Sequence, residues 1–305
     1  MEQKKRTKKP GINRLKVNEE TLLMPFLLSN MGGMSRNAVK QLLAHRQVMV
    51  DKRICTRFDE PLQVGQEVSI SSSRGNIELK HPKLSILFED EFILVVDKKE
   101  GLLTVSTGRE EETTAFSILK NYIKKESPQN RIYIVHRIDR ETSGVLVFAK
   151  IRDMQLELQE FWHEIVTRRE YVALVEGKVE KPAGTIKTWL TENEKSLKIH
   201  SSPVDNGGKL ALTHYKRLKF NDTHSLLQLS LETGRKNQIR VHLAGIGHPI
   251  SGDKKYGSDQ QLIGRMGLHA RTLAFIHPAT RTEVCFESPL PSAFNAPFKH
   301  KTSTT

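Results

Sequence analysis

Between residues 85 and 231 the chain is a succession of short β-rich runs separated by polar turns, and this spacing restricts it to folds dominated by a sheet. Strands are expected at 85–88, 92–96, 132–135, 145–148, 170–175, 187–190, 213–218 and 226–231, and helices at 114–123 and 237–244. There is no internal repeat and no regular strand-helix alternation. The expected class is therefore α+β, with a mixed, largely antiparallel sheet and flanking helices.

A second, smaller unit precedes this domain, and 305 residues leave room for both. Ser35 can cap a helix in which Val39, Leu42 and Leu43 form an apolar stripe, while Arg36 and Lys40 share another face. Short strands follow around 48–50 and 64–70, giving a small α/β module with a basic helix. The expected organisation is a basic mobile arm (1–14), this module (15–75), a linker of small polar residues (76–82), the large domain (83–298) and a tail (299–305).

Lys and Arg outnumber Asp and Glu 48 to 35, a net charge of +13. Such an excess points to a polyanionic partner, with nucleic acid first. Hydrophobic residues at 37% and charged residues at 27% fit a soluble globular protein. Cys55 and Cys285 are the two cysteines, too few for a disulfide framework, so a reducing, cytoplasmic setting is expected. The apolar stretches 22–28, interrupted by Pro25, and 92–96 are too short to cross a bilayer, and no membrane partner is expected. A monomer is the default.

Common catalytic motifs are missing: there is no phosphate loop ending in Gly-Lys-Ser/Thr, no Gly-x-Ser-x-Gly elbow and no Cys-x-x-Cys. His163-Glu164 starts like a zinc-protease helix, but Thr167 stands where the second histidine belongs, so no metal site is expected. Two polar segments remain. In His136-Arg137-Ile138-Asp139-Arg140-Glu141-Thr142-Ser143-Gly144, a loop between two strands, Asp139 sits between two arginines that favour its ionised form. A salt-bridged turn aspartate would look the same. In Thr233-Gly234-Arg235-Lys236-Asn237-Gln238-Ile239-Arg240, a glycine turn opens a basic helix whose N-terminal end attracts anions, and a merely solvated basic helix fits equally.

The first segment resembles the His-Arg-Leu-Asp-x-x-Thr-Ser-Gly signature of the RluA family of RNA pseudouridine synthases, with Ile138 in place of Leu. Arg169-Glu170-Tyr171-Val172-Ala173-Leu174-Val175-Glu176-Gly177 resembles the family's tyrosine motif, and the segment from Thr233 to Arg240 its third motif. Gly247-His248-Pro249-Ile250-Ser251-Gly252-Asp253 and Leu268-His269-Ala270 extend the similarity. Asn237 stands where the family usually has His, and Lys98-Lys99-Glu100-Gly101 replaces Lys-Pro-x-Gly. The N-terminal module resembles the α-L RNA-binding fold of a small-subunit ribosomal protein, with Arg46-Gln47-Val48-Met49-Val50-Asp51-Lys52 in place of its usual glycine-bounded turn.

The resemblance implies an isomerase that breaks the ribose-uracil bond at nitrogen, rotates the base and rejoins it at carbon, a reaction that consumes no cofactor. It implies Asp139 as the catalytic carboxylate, Arg240 as its partner, and Tyr171 as the residue that packs on the base and takes its proton. The uridine must leave its stack to be reached, and Arg137 matches the position that fills the gap. His136, Arg140, Arg235, Gln238, Arg36 and Lys40 are the further expected RNA contacts, with ribosomal RNA of the large subunit the expected substrate. On this reading Arg240→Ala leaves the fold intact while activity falls by orders of magnitude. The rivals are a noncatalytic RNA-binding assembly factor, which needs no Asp139, Tyr171 and Arg240 together, and a hydrolase using Ser143 with a histidine.

Overall fold

The computed structural model describes residues 12–44, 47–51, 53–55, 57–71, 79–106, 108, 113–125, 127–258 and 262–298. The basic tract from Lys4 to Lys9, residues 76–78 of the expected linker and the expected tail 299–305 lie outside these. The chain divides into two compact units, residues 1–78 with 121–130, and residues 79–120 with 131–305.

In the smaller unit β1 (Ile12–Lys16), β2 (Thr21–Leu22), α1 (Leu23–Asn30), α2 (Arg36–Ala44), β3 (Val48–Val50), β4 (Arg53–Ile54), β5 (Pro61–Leu62) and β6 (Glu67–Ser71) form a sheet in the order β1-β6-β3-β4 and a separate β2-β5 pair. β1 begins inside the stretch expected to be an arm, because the antiparallel edge of β6 supplies its backbone partners. α1 is an element the sequence pattern concealed behind Pro25. That proline lies in the first turn, where its missing N–H would have no intrahelical partner anyway, and Leu23, Met24, Phe26 and Leu27 are buried. α2 starts as expected: the Ala38 N–H donates to Ser35 Oγ at 3.2 Å, Val39 and Leu43 are buried, and Arg36 and Lys40 are exposed.

The larger unit contains β7 (Leu84–Glu89), β8 (Ile93–Lys98), α3 (Ala115–Lys124, whose last turn belongs to the smaller unit), β9 (Tyr133–Ile134), β10 (Ser143–Ala149), α4 (Arg152–Glu160), α5 (Trp162–Ile165), β11 (Val166–Glu176), β12 (Ala183–Glu192), β13 (Ile199–Ser202), β14 (Lys209–Phe220), β15 (His224–Leu231), α6 (Gln238–Gly245), β16 (Leu268–Ile276) and β17 (Glu283–Glu287). Their sheet runs β13-β12-β14-β15-β11-β16-β10-β8-β7, with β17 on β16 and β9 on β10. The β10-β16 pair is parallel and the other pairs of this sheet are antiparallel, the mixed, largely antiparallel α+β arrangement expected from the sequence.

Two interior strands carry apolar runs, residues 93–96 and 145–149, because both faces are covered: every residue of β8 and β10 is buried. Gly144 is what lets β10 enter this position. It has φ +117°, and a Cβ there would lie 2.0 Å from the Ala270 carbonyl oxygen of the parallel neighbour, so both the backbone conformation and the close approach demand glycine. The Thr-Ser-Gly end of the first motif is thus explained by strand packing. The loop just before it is placed by the same entry point.

Candidate active site

The loop from Val135 to Thr142 leaves β9 and returns through β10, and it is gripped by its backbone. Thr104 Oγ1 donates to the Ile138 carbonyl at 2.8 Å and accepts the Ile138 N–H at 3.3 Å. Lys98, fully buried, donates from Nζ to the carbonyls of Lys99, Leu102 and Arg140 at 3.1, 2.8 and 3.2 Å, and the Gly101 N–H also reaches the Arg140 carbonyl at 2.8 Å. Burial pulls the Lys98 ammonium down to about 8, against the opposing charge of Glu141. Three carbonyl acceptors match the three donors of the charged form. Thr142 N–H closes the turn on the Asp139 carbonyl at 3.1 Å.

The second segment is bolted down by a side chain expected to touch RNA. Gln238 is buried, its Oε1 accepts from Thr233 Oγ1 and the Arg235 N–H, and its Nε2 donates to the Leu212 carbonyl and Thr213 Oγ1. Both acceptor sites and both donors of the amide are spent, so although Gln238 borders the cavity, it orients α6 and does not read substrate. Asn237 precedes it in the left-handed region at φ 54°, a conformation Asn tolerates.

Arg240, in the first turn of α6, carries the arrangement. Its Nε and Nη2 each lie 2.7 Å from an oxygen of Asp253, a bidentate fork, and its Nη1 lies 3.2 Å from Asp139 Oδ2. Its guanidinium also stands 5.1 Å from the centre of the Tyr256 ring, whose hydroxyl accepts from Asn237 Nδ2 and the Ile199 N–H. Burial works against the Arg240 cation, but the hydrogen bonds and charge of Asp253, joined by Asp139, outweigh it and raise its pKa. Asp253 is 1% exposed, whereas the Asp139 side chain remains 32% exposed. The buried carboxylate therefore aims the cation, and the open one faces the cavity.

Tyr171 forms another wall of that cavity, 5% exposed on β11 beside a bulge in the β11-β16 pairing whose extra residue, Arg271, lies on β16. Its hydroxyl has no hydrogen-bond partner among the described residues. Arg137 is exposed and lines the same cavity. The structure thus brings Arg137, Asp139, Tyr171, Gln238 and Arg240 together from three distant segments. Larger grooves border Arg53 and Cys55 in the smaller unit, and Lys209 and Arg235 in the larger, but neither joins a carboxylate to an arginine and a tyrosine in this way. Arg235 lines the second groove and donates from Nε to the Leu210 carbonyl at 3.2 Å. Arg140 is exposed, and Arg36 and Lys40 stand on α2 of the other unit.

His136 is a correction. Its Nε2 accepts the Val147 N–H at 3.2 Å, its ring lies 4.8 Å from that of Trp162, and burial, aided by the Arg169 charge, pulls it down to about 3. A neutral, inward-facing imidazole offers no charge to a phosphate. The hydrolase reading also meets its test here. Ser143 Oγ does lie 2.8 Å from His269 Nδ1, but Ser143 is 1% exposed and the same oxygen accepts from Arg265 Nη2 at 2.8 Å, so no substrate reaches it. Among the described residues no three His, Cys, Asp or Glu side chains are grouped to hold a metal ion.

Burial holds His242 and His269, like His136, below the ordinary imidazole value, both at about 4. The unfolded chain would protonate all three near pH 6.5 while the folded chain stays neutral, so their stability contribution is complete above that pH and is lost as pH falls toward 4. Unfolding free energy from urea titrations is expected to drop by about 2 kcal/mol or more between pH 7 and pH 5. A flat profile would mean that these rings take up protons in the folded chain as readily as in the unfolded one.

The RNA pseudouridylate synthase family model matches residues 92–245, which include Asp139, Tyr171 and Arg240. The chain belongs to this family. It is 32% identical over 267 residues to the "Uncharacterized RNA pseudouridine synthase YhcT" of Bacillus subtilis, covering 85% of this chain and 86% of that one. It is 33% identical over 272 residues to the "Ribosomal large subunit pseudouridine synthase D" of Nitrosomonas europaea, covering 84% and 77%. Among solved structures, "Human RNA Pseudouridylate Synthase Domain Containing 4" superposes with a TM-score of 0.57 at 26% identity, over 68% of this chain and 89% of that one. The RluA-type resemblance and the isomerase class are thereby established, and the noncatalytic alternative is not favoured.

The sequence reading passed over Asp253 and Lys98. Asp253 closes the quoted Gly-His-Pro-Ile-Ser-Gly-Asp stretch, and a carboxylate shortly after an arginine-bearing helix was the available signal. Lys98 was visible only as part of a departure from a family pattern. No helix among the described residues is long and apolar enough to cross a membrane.

Proposed function

We propose that this enzyme converts a specific uridine of structured large-subunit ribosomal RNA to pseudouridine in the cytoplasm. The observation that carries the residue assignment is the Asp139-Arg240-Asp253 chain, in which a half-open carboxylate is held by a cation that a buried carboxylate has fixed. Asp139 acts on the extruded nucleotide as its bond from ribose to uracil nitrogen breaks. Arg240 holds it in orientation. The base turns, its carbon bonds to the ribose, and the hydrogen lost from that carbon is balanced by one gained at the freed nitrogen. Tyr171, which lines the cavity and whose hydroxyl has no hydrogen-bond partner among the described residues, relays that proton.

The names of the relatives, together with the exposed Arg36 and Lys40 of the smaller unit, support ribosomal RNA as the substrate. The smaller unit serves as an RNA-binding module, and exposed Arg137 fills the place of the departed base. Pseudouridine maps of total RNA, made by carbodiimide treatment and primer extension with and without the gene, test this. One or a few sites in the large-subunit RNA are expected to disappear. An unchanged map would refute the proposal, and losses confined to transfer RNA would reassign the substrate.

A further inference from the structure

The cavity around Asp139 holds more positive charge than its carboxylate can answer. Arg137, Arg169 and Arg240 all line it, and Asp139 is the acidic residue among its lining. Arg240 is spent on Asp139 and Asp253. Arg169 is not spent: among the described residues it has no ion pair, and its Nε is buried without a hydrogen-bond partner. A guanidinium left in this condition calls for an acceptor from outside the chain.

Its placement is specific. Arg169 precedes Tyr171 by two positions on β11, so both point to one side of the strand, and its Cζ stands 5.6 Å from the centre of the Tyr171 ring. Gly234, at the turn before α6, leaves room for it. That glycine has no left-handed backbone to explain it, yet a Cβ there would lie 2.5 Å from Arg169 Nη1. Two of the three motif segments thus meet at a cation that no assigned step uses.

The anion a nucleotide brings to such a cavity is its phosphodiester, and the planar fork of a guanidinium matches two phosphate oxygens. We propose that Arg169 is the seat for the phosphate adjoining the extruded uridine, holding that nucleotide against Tyr171 while Asp139 acts on it. The seat rests on the pseudouridine synthase reading and adds a substrate contact to it. Arg169 is a binding group, so its loss falls on KM more than on kcat.

The test uses the full-length enzyme and an RNA fragment spanning the uridine mapped in cells, prepared unmodified or with a neutral methylphosphonate at the phosphate on either side of that uridine. Turnover of the unmodified fragment by the wild-type protein checks the enzymatic reading by itself, and its failure would remove the seat as well. With turnover in hand, one of the two methylphosphonates is expected to raise the wild-type KM about tenfold. Arg169→Gln is expected to raise KM similarly on unmodified RNA, with kcat within about threefold, and to suffer no added loss on that methylphosphonate. Arg169→Lys, which keeps the charge, is expected to fall between and to retain part of the methylphosphonate effect; it also supplies the cycle if the Gln variant does not fold. Equal methylphosphonate penalties in wild-type and variant proteins, at both phosphates, would overturn the proposal and leave Arg169 as a packing partner of Tyr171.

Discussion

Asp139→Asn is expected to lower pseudouridine formation at least about a thousandfold while RNA affinity stays within about threefold of the wild-type value. Asparagine keeps the shape of the side chain and removes the charge that the chemistry requires. The fold should survive, because Asp139 is partly open and Arg240 retains its bidentate partner in Asp253. Affinity should not suffer, since the change removes a negative charge from a cavity that receives a polyanion. Carbodiimide mapping of the target uridine gives the first quantity and filter binding the second. Turnover within tenfold of wild type would exclude Asp139 from the central role.

Arg240→Ala is expected to lower turnover by at least about a hundredfold, and to destabilise the protein as well. The sequence alone predicts an intact fold for this change, and the structure adds a stability cost to that expectation. Both oxygens of Asp253 rest on Arg240, and Asp253 is 1% exposed, so removing the cation strands a buried negative charge at a cost of about 3 kcal/mol. Adding Asp253→Asn should restore much of the stability and none of the turnover, which separates the two effects. Near-normal turnover in the single variant would take Arg240 out of the site.

The eight expected strands of the sheet are legible because they alternate or run apolar over lengths that turns punctuate, with errors at their ends, whereas β13, β16, β17, α4 and α5 were not expected at all. Asp139 could be placed in a loop from its flanking strands, but its meeting with Arg240 could not be read from pattern, since it joins segments 101 residues apart. Only the family resemblance connected them. The same limit explains Gln238 and His136. Residue type tells what a side chain can bond to, and a polar motif residue serves equally as a clamp facing inward or as a reader facing out. α1 was concealed because a proline near the start of a short helix resembles a break.

The grip of Thr104, Lys98 and Gly101 on the Asp139 loop falls on peptide groups, not on side chains. The exposed Arg137 side chain is no part of that grip and can therefore be exchanged over evolutionary time without dislodging the aspartate two positions on. A lineage of such enzymes could acquire new targets by altering what projects from this bend, while inheriting unchanged the support beneath it.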